Sequence, residues 1–337
     1  MSDALTPETG LVIAVNRNAV DVLLPDGYIE RCRLHGRYRS EAHRGEGVVV
    51  GDRAVLAPAP QPLPLGALPA TRTVARIEPR STVLRRHLTS RGENRVREDL
   101  TVAANVDLCL VVQSYHDPAF RSAVADRLIA LARASTIPVA MVLNKSDGVS
   151  DGEIHAVLAP YRRLGIECFA VSALSGMGMQ HLTDRCAGQL TVMLGPSGVG
   201  KSTLTSSLTS FADLATGDVS DSHRRRGRGR HTTVQSRIYP LRGGGYVIDT
   251  AGIRSLALPE GTDPLDAFPE IARLSPACRF ADCTHRYEPG CAVREAVAAG
   301  SLPRQAYDGY LRVLNDQASQ PTGRGYNNKG GVHRKPK

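Results

Sequence analysis

Gly195-Pro196-Ser197-Gly198-Val199-Gly200-Lys201-Ser202 fills every position of the pattern GxxxxGK[ST]. It follows the apolar run Leu190–Leu194 and opens a stretch, Ser202–Phe211, that reads as a helix. Strand, glycine-rich turn and helix in that order make a phosphate cradle. The glycines let successive backbone N–H groups turn toward an anion, and the helix N-terminus adds a favourable dipole. Lys201 supplies a point charge for the β- and γ-phosphates, and Ser202 an oxygen for Mg²⁺. The run Gly195 to Thr203 is therefore read as contacting a nucleotide.

A phosphate cradle does not choose a base. Asn144-Lys145-Ser146-Asp147 does, at the end of the buried strand Val139–Leu143, where open α/β sheets bind ligands. The Asp147 carboxylate can accept both N1–H and the N2 amino group of guanine, a pair that adenine lacks. The Lys145 stem can cover the base, and Asn144 can bond the purine edge and tie loops together. Ser172-Ala173 ends the next strand, Cys168–Val171, and offers the Ala173 N–H to guanine O6. A third strand, Val247–Asp249, ends in Asp249-Thr250-Ala251-Gly252. Asp249 would hold Mg²⁺ through water and the Gly252 N–H would sense a γ-phosphate. Upstream, Thr233 is the choice from His231-Thr232-Thr233 to complete the Mg²⁺ shell. Ile253 stands where many GTPases place a water-orienting Gln. His231 is one candidate for that role; the other reading of it is an exposed loop histidine among basic residues.

The order of these elements is unusual. The guanine motif and Ser-Ala precede the phosphate loop, as after a circular permutation that cuts a surface loop and keeps the sheet. Around them, Val106–Val112 and Arg121–Ser135 add a strand and a helix to the alternating rhythm of a doubly wound α/β domain over 98–256. Before it, Gly10–Val15, Ala19–Leu24, Ile29–Leu34, Val48–Asp52 and Arg53–Leu56 read as short strands, with a turn at Pro25-Asp26-Gly27. They fit an OB-like, RNA-binding β-barrel over 8–84 or another small β domain. Pro58–Pro69 reads as a loop and Arg85–Arg97 as a charged linker.

The chain has 337 residues and a net charge of +9. That charge suits a polyanionic partner, or simply a basic surface. No run of about 18 apolar residues marks a membrane span, and the N-terminus does not read as a secretory signal. Of seven cysteines, Cys32, Cys109, Cys168 and Cys186 are scattered, as in a reducing cytoplasm. Cys278, Cys283, His285 and Cys291 form a cluster suited to one structural, tetrahedral Zn²⁺. It lies in a C-terminal zinc-binding, mostly helical segment over 257–322, before a basic tail, 323–337. The run Arg224–Arg230 leads into His231 and suits RNA phosphates, though such runs are also ordinary solvated loops.

Taken together, the barrel, the permuted GTPase and the Cys-x4-Cys-x-His-x5-Cys cluster resemble the ribosome small-subunit-dependent GTPases, the RsgA (YjeQ/YloQ) family. Ala103–Asp107 and Gly227–Thr233 carry the same resemblance. It implies a monomeric cytoplasmic enzyme that binds the small ribosomal subunit and its rRNA late in maturation and hydrolyses GTP to GDP and phosphate, stimulated by the subunit. It also implies a catalytic role for His231 and zinc ligation by Cys278, Cys283, His285 and Cys291. Ala251 departs from the proline usual in the family. The alternatives are an RNA-binding module whose bound nucleotide is structural, and a kinase using the phosphate loop, against which the guanine motif argues.

Overall fold

Alternate residues of the first strands turn inward, and that period of two builds a barrel. In the computed structural model, residues 8–16, 18–36, 38, 47–58, 72–89, 97–209, 236–249, 258 and 261–319 are described. Strand β1 (Thr9–Val15) buries Val12 and Ala14, β2 (Ala19–Leu23) buries Val20 and Val22, and β3 (Ile29–Leu34) buries Cys32 and Leu34. Strands β4 (Arg53–Leu56) and β5 (Thr73–Ile77) complete the set. The pairing β1–β2–β3–β5–β4 returns from β4 to β1 and closes the sheet. Five short strands leave an interior that side chains alone can fill.

Three details differ from the sequence reading. Val48–Asp52 is not a strand: Val50 makes one isolated bridge to Ala103, and Gly51 turns there with a φ of 88°. Thr73–Ile77 was not anticipated as a strand. The expected linker Arg85–Arg97 instead contributes to a hairpin of β6 (Val83–Thr89) and β7 (Arg97–Ala104). Backbone pairing, indifferent to side-chain charge, makes strands of this polar stretch. The Pro58–Pro69 loop lies outside the described residues except for its first.

Beyond the hairpin the chain alternates strand and helix. In order come β8 (Leu108–Ser114), α1 (Ser122–Ala134), β9 (Val139–Asn144), α2 (Asp151–Arg163), β10 (Glu167–Ala170), α3 (Met179–Cys186), β11 (Leu190–Leu194) and α4 (Lys201–Leu208). Two further strands, β12 (Arg237–Pro240) and β13 (Tyr246–Asp249), follow. The spatial order is β10-β9-β8-β11-β13-β12, parallel apart from β12. From β8 the chain winds outward to β9 and β10, then returns to lay β11 on the other side of β8. The C-terminal ends of β8 and β11 are thus the topological switch point, where such sheets open a crevice. Strand β12 pairs with β1 and joins barrel to sheet.

Of the C-terminal helices α5 (Pro264–Ala267), α6 (Pro269–Ala272), α7 (Ala292–Ala298) and α8 (Arg304–Ser319), α5 and α8 pack on α1, and α6 packs on α5. Phe268, Ile271 and Tyr310 belong to the same buried cluster as Leu128, Leu131 and Val111. A polar knot crosses this contact. Asp126 of α1, only 6% exposed, accepts hydrogen bonds from Arg312 (2.6 Å) and Gln305 (3.3 Å) of α8 and from Tyr161 of α2 (3.2 Å). Arg127 adds a pair with Asp316 and Arg133 one with Glu270.

Removing the buried carboxylate leaves a cation and two other donors without their acceptor. Asp126→Ala should therefore lower unfolding stability by about 2–4 kcal/mol, somewhat less than breaking a fully buried pair costs, because the Arg312 side chain is 34% exposed. A urea melt checks this; a loss below about 0.5 kcal/mol contradicts the assignment.

Candidate functional site

The phosphate loop sits where β11 gives way to α4. Lys201 opens the helix, and Gly200 precedes it with a φ of 92°. A Cβ at Gly200 would lie 2.3 Å from Nδ2 of Asn144, so only glycine lets the loop approach that side chain. Lys201 Nζ donates to the carbonyls of Gly195 and Pro196, both at 2.7 Å, which points the ammonium into the loop. Burial lowers the Lys201 pKa, and the nearby Asp249 carboxylate opposes that shift. A phosphate would reinforce the charged form. Ser202 and Thr203 are exposed on the first turn of α4, and Ser197 and Gly198 at the loop tip. The hydroxyl of Ser202 and the carboxylate of Asp249 are hard oxygen donors of the kind Mg²⁺ takes.

The guanine motif meets this loop through Asn144. Its side chain, 2% exposed, donates from Nδ2 to the Val199 carbonyl (2.9 Å) and accepts at Oδ1 from the Ala173 N–H (3.1 Å). One amide thus joins the ends of β9, β10 and β11. The Ala173 N–H, expected to face guanine O6, is engaged with Asn144 in this structure. Ser146 is buried and structural: its hydroxyl donates to the Leu143 carbonyl, and its N–H to that of Val171. Ser172 is buried as well, and its Oγ accepts from the Ser175 N–H. Asp147 is exposed beside them, open to a base. His231, Thr233 and Gly252 lie outside the described residues, as do Arg224–Arg230 and the tail 323–337.

The second cluster is compact. The ligand atoms of Cys278, Cys283, His285 and Cys291 lie within 4.8 Å of one another. His285 Nδ1 is 3.6 Å from Cys278 Sγ and 3.5 Å from Cys291 Sγ, and the two sulfurs are 3.9 Å apart. A tetrahedral Zn²⁺ with Zn–S of ~2.3 Å and Zn–N of ~2.0–2.1 Å demands edges of ~3.6 Å and ~3.8 Å. The residues fit the ion. Burial lowers the His285 pKa, favouring the neutral ring that ligates metals. Ser275 Oγ meets the other ring nitrogen, Nε2, at 3.2 Å, and Tyr307 donates to the His285 carbonyl at 2.7 Å. These outer partners orient the ligand. Neither was singled out from the sequence, and a lone Ser or Tyr carries no signal there.

The model of the RsgA GTPase family matches residues 77–259. A protein of Bacteroides fragilis named small ribosomal subunit biogenesis GTPase RsgA is 33% identical over 318 residues, covering 91% of this chain and 96% of that protein. Its namesake in Chlorobaculum tepidum is 35% identical over 312 residues, covering 92% and 98%. Among solved structures, YjeQ from Thermotoga maritima aligns with a TM-score of 0.70 at 24% identity, over 94% of this chain and 100% of that one. YloQ, described as a circularly permuted GTPase, aligns at 0.66 and 24%, over 94% and 97%. These two likenesses carry the fold.

Asp147→Asn should weaken GDP binding by about a hundredfold, the worth of two charge-assisted hydrogen bonds. Calorimetric titration reads this, and an unchanged Kd removes Asp147 from the site. Metal analysis should find one zinc per chain, reduced in Cys278→Ser. Ser275→Ala should keep the zinc but release it to a chelator at least about tenfold faster.

Proposed function

This chain belongs to the RsgA GTPase family, and we propose that it is a GTP hydrolase that binds the small ribosomal subunit during late maturation. The observation that carries the reading is the Asn144 amide, which brings a guanine-selecting motif and a phosphate loop into one crevice. Asp147 reads the N1–H and N2 edge, Lys145 covers the base, and Gly195–Thr203 with Lys201 hold the phosphates. Bound Mg²⁺, held by Ser202, Thr233 and Asp249, supplies charge neutralisation at the phosphates. The Gly252 N–H senses the γ-phosphate, and His231 orients the attacking water.

The partner surface is RNA, engaged by several parts of the chain. The barrel exposes Arg31 and Arg33 on β3, Arg53 on β4 and Arg76 on β5, and this type of barrel binds nucleic acid across its strands. Arg224–Arg230 adds a run of cations that directly precedes His231 and Thr233 in the sequence, so rRNA held by those cations would lie next to the residues that complete the GTP site. The chain works as an 8–84 barrel, a 98–256 GTPase domain, a 257–322 unit built on one structural Zn²⁺, and a basic tail, as a monomer in the cytoplasm. Among the described residues no helix is long and apolar enough to cross a membrane.

GTP hydrolysis measured with and without purified small ribosomal subunits tests this. The wild type should turn over slowly alone and at least about tenfold faster with subunits. His231→Ala should lose about a hundredfold of the stimulated rate, the scale of a positioned proton-transfer group. Equal rates with and without subunits overturn the reading.

A further inference from the structure

The switch-point crevice has a second wall that the motifs do not account for. Ser114, the last residue of β8, is fully buried and stands in register with Asn144. Its hydroxyl donates to the Pro118 carbonyl at 2.6 Å and so closes the turn Tyr115–Pro118. The carbonyl of Asp117 in that turn accepts from Lys145 Nζ. Both Asp117 (φ 41°) and Lys145 (φ 57°) hold left-handed backbone, which a non-glycine residue adopts when its surroundings impose it. The turn also touches the phosphate loop: Pro118 Cδ lies 3.3 Å from where a Cβ on Gly198 would stand. From outside, Tyr115 donates its N–H to the Asn144 carbonyl (3.0 Å) and its hydroxyl to Glu153 of α2 (3.1 Å).

We propose that Ser114 is a positioning residue for guanine-nucleotide binding, acting through the Asp117 carbonyl to hold Lys145 stretched from the base-reading loop to the Tyr115–Pro118 turn. A free lysine side chain surrenders several rotatable bonds when it settles over a base. Here its backbone is set by the left-handed turn and its ammonium by Asp117, so that ordering is complete before nucleotide arrives. Preorganisation of this kind raises affinity by removing a cost of binding. The Ser114 hydroxyl is the buried link in the chain, because without it the Asp117 carbonyl is free to swing away. The inference rests on the guanine-nucleotide reading of the site.

A double-mutant cycle tests it, with GDP affinity measured by titration of the full-length protein. Ser114→Ala should weaken GDP about three- to tenfold. Lys145→Ala should weaken it at least as much, and the double variant no further than Lys145→Ala alone, since coupled residues are not additive. Tyr115→Phe, which loosens the turn from its half-buried outer side, should shift affinity in the same direction by a smaller factor. Thermal melts of the nucleotide-free variants establish that each is folded. An unchanged Kd in Ser114→Ala, or fully additive losses in the double variant, overturns the proposal. Absence of GDP binding by the wild type overturns both this and the nucleotide reading; binding with additive losses overturns this one alone.

Discussion

One buried amide holds the nucleotide site together. Asn144 uses its oxygen for the Ala173 N–H and its nitrogen for the Val199 carbonyl. Each of those backbone groups would otherwise lack that partner at a site closed to solvent around the amide, at a cost of about 1–3 kcal/mol apiece. The contact also dictates composition nearby. Gly200 must lack a side chain because Asn144 occupies that space. The tie is indifferent to chain order, which explains how a permuted sequence builds the same crevice. What matters is that β8, β9, β10 and β11 lie side by side and parallel, with their loops converging at one end.

A second constraint acts on the C-terminal segment. In the sequence it follows directly on the Asp249–Gly252 motif. In the structure its helices share one apolar cluster with α1 and the sheet. The buried Asp126 carboxylate and its three donors then fix α8 against α1. Polar groups of this kind are costly to expose or separate. The cluster of Cys278, Cys283, His285 and Cys291 is thereby held in a set relation to the sheet by contacts that lie far from the motif in sequence.

Much of the fold was readable because its signals are local. The buried runs at Leu108–Ser114, Val139–Asn144 and Leu190–Leu194 are nearly unbroken apolar stretches, as parallel strands covered on both faces require. The Arg121–Ser135 helix ended within a residue of its expected bounds. The Ser202–Phe211 helix begins at Lys201 and ends at Leu208, short of its expected bound, because Thr209 turns to bridge Leu241. The misreadings share a physical cause. The β6–β7 hairpin is rich in charge, and β5 and β12 are short segments without a clean alternation. Their strand character comes from partners distant in the chain, and no local pattern announces that. Val48–Asp52 erred in the opposite sense. Its apolar residues are buried in a turn at Gly51, whose own space is limited by the Ala104 carbonyl 2.0 Å from a would-be Cβ.

The sequence by itself made the candidate chemistry legible: a phosphate-loop pattern, a guanine motif, a strand-end aspartate and a cluster of three Cys and one His suited to a metal, each marked by residue type at fixed spacing. Spacing is enough there, because a short stretch of backbone carries the donors to their places. Tertiary structure alone decided how these parts meet. It closed the barrel through the β1–β4 pairing and put β11 beside β8 at the switch point. It also drew Ser114, Ser275, Tyr307 and Asp126 into service beside them. Asp126 and Tyr307 act through hydrogen bonds to residues far along the chain, and a contact between distant positions leaves no mark in either one's immediate sequence.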